Sequence, residues 1–390
     1  MEVRPCGLTI GALKSKTSQV SLPSSDCASM STEAASLSPT SSAGLDCFDT
    51  AGASSVFSER GSLDMPSAWP AWGRQCSNTS TVASLAASDV HYSEPTQTLI
   101  FLDWDDTLFP TTEIVERWGF PIVGQEAPYT PTCPQQASGL QQWRVACRAF
   151  LELACALSSH CCIVTNSRRP WVEDCLACFY PELQELLDGP RGPKVVYAHE
   201  AMVTDKSHRA PLRPVINRDL DLQQKSAEEL EAELTMSKYA AMKVEASAFY
   251  SQYPSQSWKN IISIGDMPYE RDAVQELTFR RVPRGREKLR TKTLVTPRCP
   301  AMADIAMRLR VAAATLPLEV AFNGDFDVDL NGDVDLLSAM GQALGQPELG
   351  GLSIGRHVRG PPPAPCCQDE VERALAELAV FVHDAVSRDG

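Results

Sequence analysis

Residues 98–111 read TLIFLDWDDTLFPT, an apolar run that stops at Asp103, Asp105 and Asp106 within four positions. Two carboxylates about 4 Å apart repel by about 4 kcal/mol at an effective dielectric near 20. A cation or a reaction normally accounts for such a cost. Two further apolar runs stop at polar groups. HCCIVTN ends in Thr165 and Asn166, and NIISIGD ends in Gly265 and Asp266, with Glu270 four residues on. Lys238 lies in the segment before the second of these. Carboxylates, a hydroxyl, an amide and an ammonium are groups that bind a divalent cation, neutralise a phosphate and move protons.

These residues need elements that bring them together. TLIFLDW, HCCIVTN, KVVYAHE, NIISIGD and KLRTKTLVT are short apolar or β-branched runs, as strands buried on both faces read. LQQWRVACRAFLELACALSSH carries Trp143, Ala146, Phe150, Leu153 and Leu157 at helical spacing. RPWVEDCLACFYPELQELL reads as a second helix with Pro170 near its first turn, and SAEELEAELTMSKYAAMKVEASAFYSQY as one long helix or two in succession. Strands alternating with helices predict a parallel sheet covered on both faces, a Rossmann-like three-layer α/β/α fold. Ligands of such sheets bind beyond the carboxyl ends of the strands, which is where the polar residues fall.

Taken in order, the motifs resemble those of the haloacid dehalogenase (HAD) superfamily of phosphohydrolases. The family pairs a strand with Asp-x-Asp-x-Thr, here DWDDT. A second strand ends in Ser or Thr, here IVT, and a helix carries a lysine. A last strand ends in Gly-Asp with a further acid, here IGDMPYE. QSWKNIISIGDMPYERDA is also similar to a subfamily from unicellular eukaryotes. The resemblance implies an HAD-like fold over roughly residues 96–300 and a Mg²⁺-dependent phosphatase. Asp103 would be the nucleophile that forms an aspartyl-phosphate, and Asp105 the acid and base. Asp103, the Asp105 carbonyl and Asp266 would hold Mg²⁺, with Glu270 orienting its ligands. Thr165, with Asn166 beside it, and Lys238 would bind the phosphoryl group. Lys243 is the rival lysine, and Lys238 ranks first because the family's lysine sits near the start of its helix. Glu270 departs from the Asp more usual at its position. Asp106, where Gly is common, has no assigned role and reads as part of a solvated loop. Trp104 and Phe109 read as wall or core residues.

The organisation expected is a disordered Ser/Thr-rich leader over 1–94, a catalytic domain over 95–315, an acidic irregular segment over 316–360, and over 361–390 a Pro-rich linker with an amphipathic helix. Between Thr107 and Thr165 lie 57 residues, mostly loop plus one helix the core needs, so the cap is minimal. A polar stretch near 203–236 is the remaining lid candidate. An open site suits a phosphorylated macromolecule such as a phosphoprotein, though a small molecule remains within the class. Transfer of the phosphoryl group to an acceptor other than water and an HAD-like scaffold of little activity are the competing functions. The terminal helix DEVERALAELAVFVHDAV can dock on the domain or on a protein partner.

The net charge of −14 over 390 residues argues against general nucleic-acid binding, and no run is long enough to span a bilayer. The amino terminus lacks a secretory core, which predicts a cytoplasmic protein, with organelle targeting through the leader as the alternative. The 14 cysteines then read as reduced thiols. Adjacent Cys161 and Cys162 have poor geometry for sharing one tetrahedral ion, and Cys175-x-x-Cys178 has no second pair. The basic run RRVPRGREKLRTK is read as an exposed loop and charged edge strand, or a surface for an acidic partner. Asp327-x-Asp329-x-Asn331-Gly332 matches the opening of a calcium loop, but Ser338 replaces the closing Glu, so an acidic turn is expected. Ser38-Pro39 has the form of a phosphoacceptor, but such pairs are common and an unmodified serine is expected.

Overall fold

Six strands, β1 (Thr98–Leu102), β2 (His160–Thr165), β3 (Lys194–Tyr197), β4 (Asn260–Gly265), β5 (Arg290–Val295) and β6 (Phe326–Asp329), pair in the order β3-β2-β1-β4-β5-β6. Every pairing is parallel. The computed structural model describes residues 91–125, 127–204, 226–251, 260–279, 289–331, 335–355 and 368–389, all within one unit, Ala71–Gly390. The leader through residue 90, 205–225 of the lid candidate, 280–288 of the basic run, 332–334 and the PPPAP linker lie outside the described residues.

Besides a single turn at Gln184–Leu187, the α-helices of the described residues are α1 (Pro134–Leu157), α2 (Trp171–Phe179), α3 (Ala198–Thr204), α4 (Ala227–Ser251), α5 (Pro268–Phe279), α6 (Met302–Ala321), α7 (Leu336–Ala343) and α8 (Gln368–Asp389). Alternate strand residues face opposite layers. Ile100, Leu102, Ile163, Ile262 and Ile264 share a core with Trp143 and Phe150 of α1 and Leu309 and Leu316 of α6. On the other face α4 packs on β2, and α5 on β4 and β5. The result is the Rossmann-like three-layer arrangement. Chain order runs outward from β1 to β3 and then returns to β4 on the opposite side of β1. The switch point, where such sheets open a crevice, therefore lies between β1 and β4.

Several details differ from the expectation. The segment after 315 contributes β6 to the sheet; FDVD is only four residues long and alternates buried and exposed, as an edge strand does. Asp327 there takes hydrogen bonds from Thr293 (2.6 Å) and Gln275 (3.0 Å), and Asp329 binds Asn331. The calcium-loop match thus begins in an extended strand. The long segment is one continuous 25-residue α4, so Lys238 sits mid-helix rather than near a start. The helix after β2 ends at Phe179, before Pro181, whose ring cannot continue it. No helix of the described residues is long and apolar enough to cross a membrane.

The charge of the basic run also misleads, since Arg290 and Lys292 are fully buried in β5. Lys292 Nζ donates to the carbonyls of Glu319 (2.5 Å) and Val320 (3.1 Å). Asn260 donates to Val320 O (3.0 Å), and the Tyr92 hydroxyl to Ala321 O. Arg290 binds Asn323 Oδ1 and lies 3.9 Å from the Tyr92 ring centroid. Side chains at the amino end of the sheet thereby satisfy the last carbonyls of α6 and place cations against its negative end. On α8, Val371, Ala374, Leu378, Val382 and Ala385 are buried at three- and four-residue spacing, and the helix packs on α6. Its apolar stripe is covered within the chain rather than left for a partner.

Candidate active site

The loop after β1 is tightly held. The Asp103 amide donates to Ile264 O of β4 (2.9 Å), and the amides of Leu108 and Phe109 both donate to Trp104 O. The Trp143 indole donates to Leu108 O at 2.7 Å. Trp104 stacks on Phe109 with centroids 5.5 Å apart, and both are core. Asp106 is not part of a solvated loop. It is buried, takes φ +55°, and accepts hydrogen bonds from the Thr112 amide (2.8 Å) and hydroxyl (2.5 Å). A left-handed residue is needed for the turn, and Asp tolerates that region better than most. Its carboxylate then holds the start of the helical turn Thr112–Arg117. Asp106 builds the loop that presents its neighbours.

Asp105 is gripped from four directions. Oδ1 accepts from Thr111 Oγ1 (2.6 Å) and Trp171 Nε1 (2.9 Å), and Oδ2 from Ser167 Oγ (2.8 Å) and Thr165 Oγ1 (3.2 Å). Thr165 ends β2, Ser167 follows it, and Trp171 opens α2, so the second strand and its loop fix this carboxylate. Ser167, Trp171 and Thr111 escape a reading of sequence motifs; a hydroxyl two residues past Thr165 and an indole in the next helical turn are the only local signals. Asn166 does not join the cluster. Its amide reaches Leu234 O of α4 at 3.5 Å.

Lys238 crosses from α4 to the end of β1. Its Nζ lies 2.5 Å from Asp103 Oδ1, 2.7 Å from Val164 O and 2.7 Å from Glu270 Oε1. Lys243 turns away, over the Tyr239 ring. Glu270 folds back along the end of β4, with Oε2 accepting from the Met267 amide (3.1 Å). This path requires Gly265, because a Cβ there would stand 2.5 Å from Glu270 Cγ. Glu270 is thus turned to the lysine rather than presented as a direct metal ligand.

Asp103, Asp266, Glu270 and Lys238 are all buried. Burial pushes the Asp103 carboxyl up, and the Asp105 charge adds to this against the opposing pull of Lys238. Burial likewise raises Glu270 to about 7 despite Lys238, with Asp103 contributing. For Lys238, burial works against the charge, but Asp103 and Glu270 outweigh it and hold the ammonium above its ordinary range. Tyr269 is raised by burial and by the charges of Glu270, Asp103, Asp266 and Asp105. Arg308 of α6, bound to Pro297 O at 2.7 Å, is lowered by burial and supported by Asp304, Asp266 and Asp106.

Lys238 and Arg308 face more carboxylates than they can balance, which leaves the crevice negative. Asp103 Oδ1 takes Lys238, whereas Oδ2 and the Asp105 carbonyl accept no hydrogen bond among the described residues. Asp266 follows the strand next to Asp103, adjacent strands lying about 4.8 Å apart. Carboxylates and a backbone carbonyl are hard oxygen donors, and with the surplus charge they fit a small divalent ion such as Mg²⁺. Comparisons with family models, curated proteins and solved structures returned no match.

Proposed function

We propose that the chain is a Mg²⁺-dependent phosphohydrolase of haloacid dehalogenase type, acting on a phosphomonoester through an aspartyl-phosphate on Asp103. The observation that carries this reading is the meeting of Asp103, bonded to Lys238, with a four-fold anchored Asp105 at the β1/β4 switch point. A carboxylate beside a fixed ammonium and a second carboxylate two residues away can divide nucleophilic and proton-transfer work between them.

In this reading the Asp103 carboxylate attacks phosphorus, the ester P–O bond breaks, and Asp105 supplies the proton that the departing oxygen needs. Water then attacks the phosphoryl group on Asp103, giving a proton back to Asp105 and releasing phosphate. Lys238 holds Asp103 in position and balances charge on the phosphoryl oxygens, while Glu270 keeps the lysine aligned. The Thr165 hydroxyl, 3.2 Å from Asp105 Oδ2 at the end of β2, would donate to a phosphoryl oxygen. Asp103, the Asp105 carbonyl and Asp266 would hold Mg²⁺, which supplies electrostatic stabilisation of phosphoryl charge when bound. The substrate class is a phosphomonoester, on a small molecule or a phosphoprotein.

The test is hydrolysis of a general phosphomonoester with and without Mg²⁺, comparing wild type with Asp103→Asn. Turnover should need Mg²⁺ and fall to background in the variant. Unchanged turnover in Asp103→Asn sinks the nucleophile assignment.

A further inference from the structure

Helix α4 meets β2 at two points seven residues apart. At the carboxyl end Lys238 bonds Val164 O. Two turns on, Glu245 reaches the amino end of the same strand. His160, Cys162 and Val164 are alternate residues of β2 and share the face that α4 covers, whereas Cys161 turns to the other face, into the core with α1. A ring nitrogen of His160, Cys162 Sγ and a Glu245 carboxylate oxygen lie within 4.8 Å of one another. His160 Nε2 is 3.1 Å from Glu245 Oε2. The imidazole stacks on Phe249, with centroids 5.4 Å apart and planes 16° apart, which fixes its orientation.

We propose that His160, Cys162 and Glu245 form a transition-metal site, of the class that takes Zn²⁺, at the foot of α4. Nitrogen, sulfur and oxygen donors suit Zn²⁺, and the thiolate disfavours hard ions such as Mg²⁺. Ligands about 2.0–2.3 Å from zinc in tetrahedral array stand about 3.3–3.8 Å apart, so a small contraction closes the set. The Cys162 and Glu245 side chains are buried, while His160 is 20% and the neighbouring Lys194 58% exposed. Water can therefore take the fourth position.

In the ion-free protein Lys194 Nζ lies 2.8 and 3.0 Å from the two Glu245 oxygens, and it is the competitor for the site. On binding, the exposed ammonium swings into solvent and Cys162 loses its thiol proton to water. His160 coordinates through a deprotonated Nε2, its remaining proton on Nδ1. One carboxylate and one thiolate then balance the dication. The site sits at the opposite end of the sheet from Asp103 and stands apart from the hydrolase reading. It would pin to β2 the helix that carries Lys238.

The test titrates the full chain, stripped by chelator, with Co²⁺ alone and then Zn²⁺. One equivalent should give thiolate-to-cobalt charge-transfer absorption that Zn²⁺ bleaches. Cys162→Ser should lose that equivalent and Cys161→Ser should keep it. His160→Gln, at a partly exposed position that leaves the fold intact, should weaken binding about tenfold or more, given that even outer partners of ligands cost 10–100-fold. Lys194→Met should tighten it. The proposal is overturned if wild type shows no such band, if Cys162→Ser binds as wild type does, if His160→Gln leaves affinity unchanged, or if Lys194→Met weakens binding.

Discussion

Lys292 at the amino end of the sheet and Lys238 at the carboxyl end are both buried, but the balance of charge around them differs. Lys292 is met by two carbonyls of α6 and by the charge of one buried acid, Glu319, its neighbour Arg290 by Asn323 and the Tyr92 ring. Cations there complete a helix end that would otherwise leave carbonyls without donors. Lys238 is met by two acids at once, Asp103 and Glu270. A buried charge is therefore no sign of function by itself. The surplus of carboxylates at the carboxyl end is what the proposed metal would relieve.

The comparison breaks most readily through the lysines. Lys238→Met leaves buried carboxylates without their cation and should cost about 3–5 kcal/mol of stability. Lys292→Met removes donors from two carbonyls and leaves Glu319, which burial keeps largely protonated below about pH 7, without its cation; it should cost about 1–3 kcal/mol. Urea unfolding measures both, and Mg²⁺ should recover stability in Lys238→Met but not in Lys292→Met. Equal losses and equal recovery would erase the distinction drawn between the two ends.

A pH series sharpens it. Glu270 and Glu319 are each raised to about 7 by burial. An acid whose pKa is raised in the fold contributes stability that is fully present below its unfolded pKa of about 4.5 and is lost as pH rises through about 7. Each should account for a loss of order 2–3 kcal/mol over that window in metal-free protein. Glu270→Gln and Glu319→Gln should each flatten their share of the slope, and Mg²⁺ should flatten only the share of Glu270. Lys292, lowered to about 7 by burial, acts in the opposite sense, its contribution lost as pH falls through about 7.

Smaller effects test the positioning of Asp105. Trp171→Phe removes one of four donors to a charged group, worth about 1.5–3 kcal/mol. It should lower kcat by about 10–100-fold and alter its pH profile while leaving KM nearly unchanged. A fall in stability with no change in the pH profile would make Trp171 a packing residue only. Smallest of all, Glu372→Ala breaks the exposed pair with Arg310 on the α6–α8 seam and should change stability by less than about 1 kcal/mol.

Much of the carboxyl end was legible from local pattern. A continuous apolar run followed by acids marks both a doubly buried strand and its ligand-side end, so β1, β2 and β4 and the positions of Asp103, Asp105, Thr165 and Asp266 could be read directly. The amino end was not. Arg290 and Lys292 carry charge that suggests solvent, and only the meeting of β5 with the end of α6 makes their burial favourable. β6 escaped because its four alternating residues look like an acidic turn until β5 supplies the hydrogen bonds.

The order of apolar runs and polar strand ends by itself determined the layered parallel fold and the identities of the acids at its crevice, because both signals are local in the chain. Tertiary structure alone decided that Lys238 rather than Lys243 reaches Asp103, that Glu270 turns to that lysine, that Asp106 is a buried brace, and that Ser167 and Trp171 grip Asp105. These choices depend on which face of a helix meets the sheet and on contacts between residues far apart in sequence. No spacing along the chain encodes them.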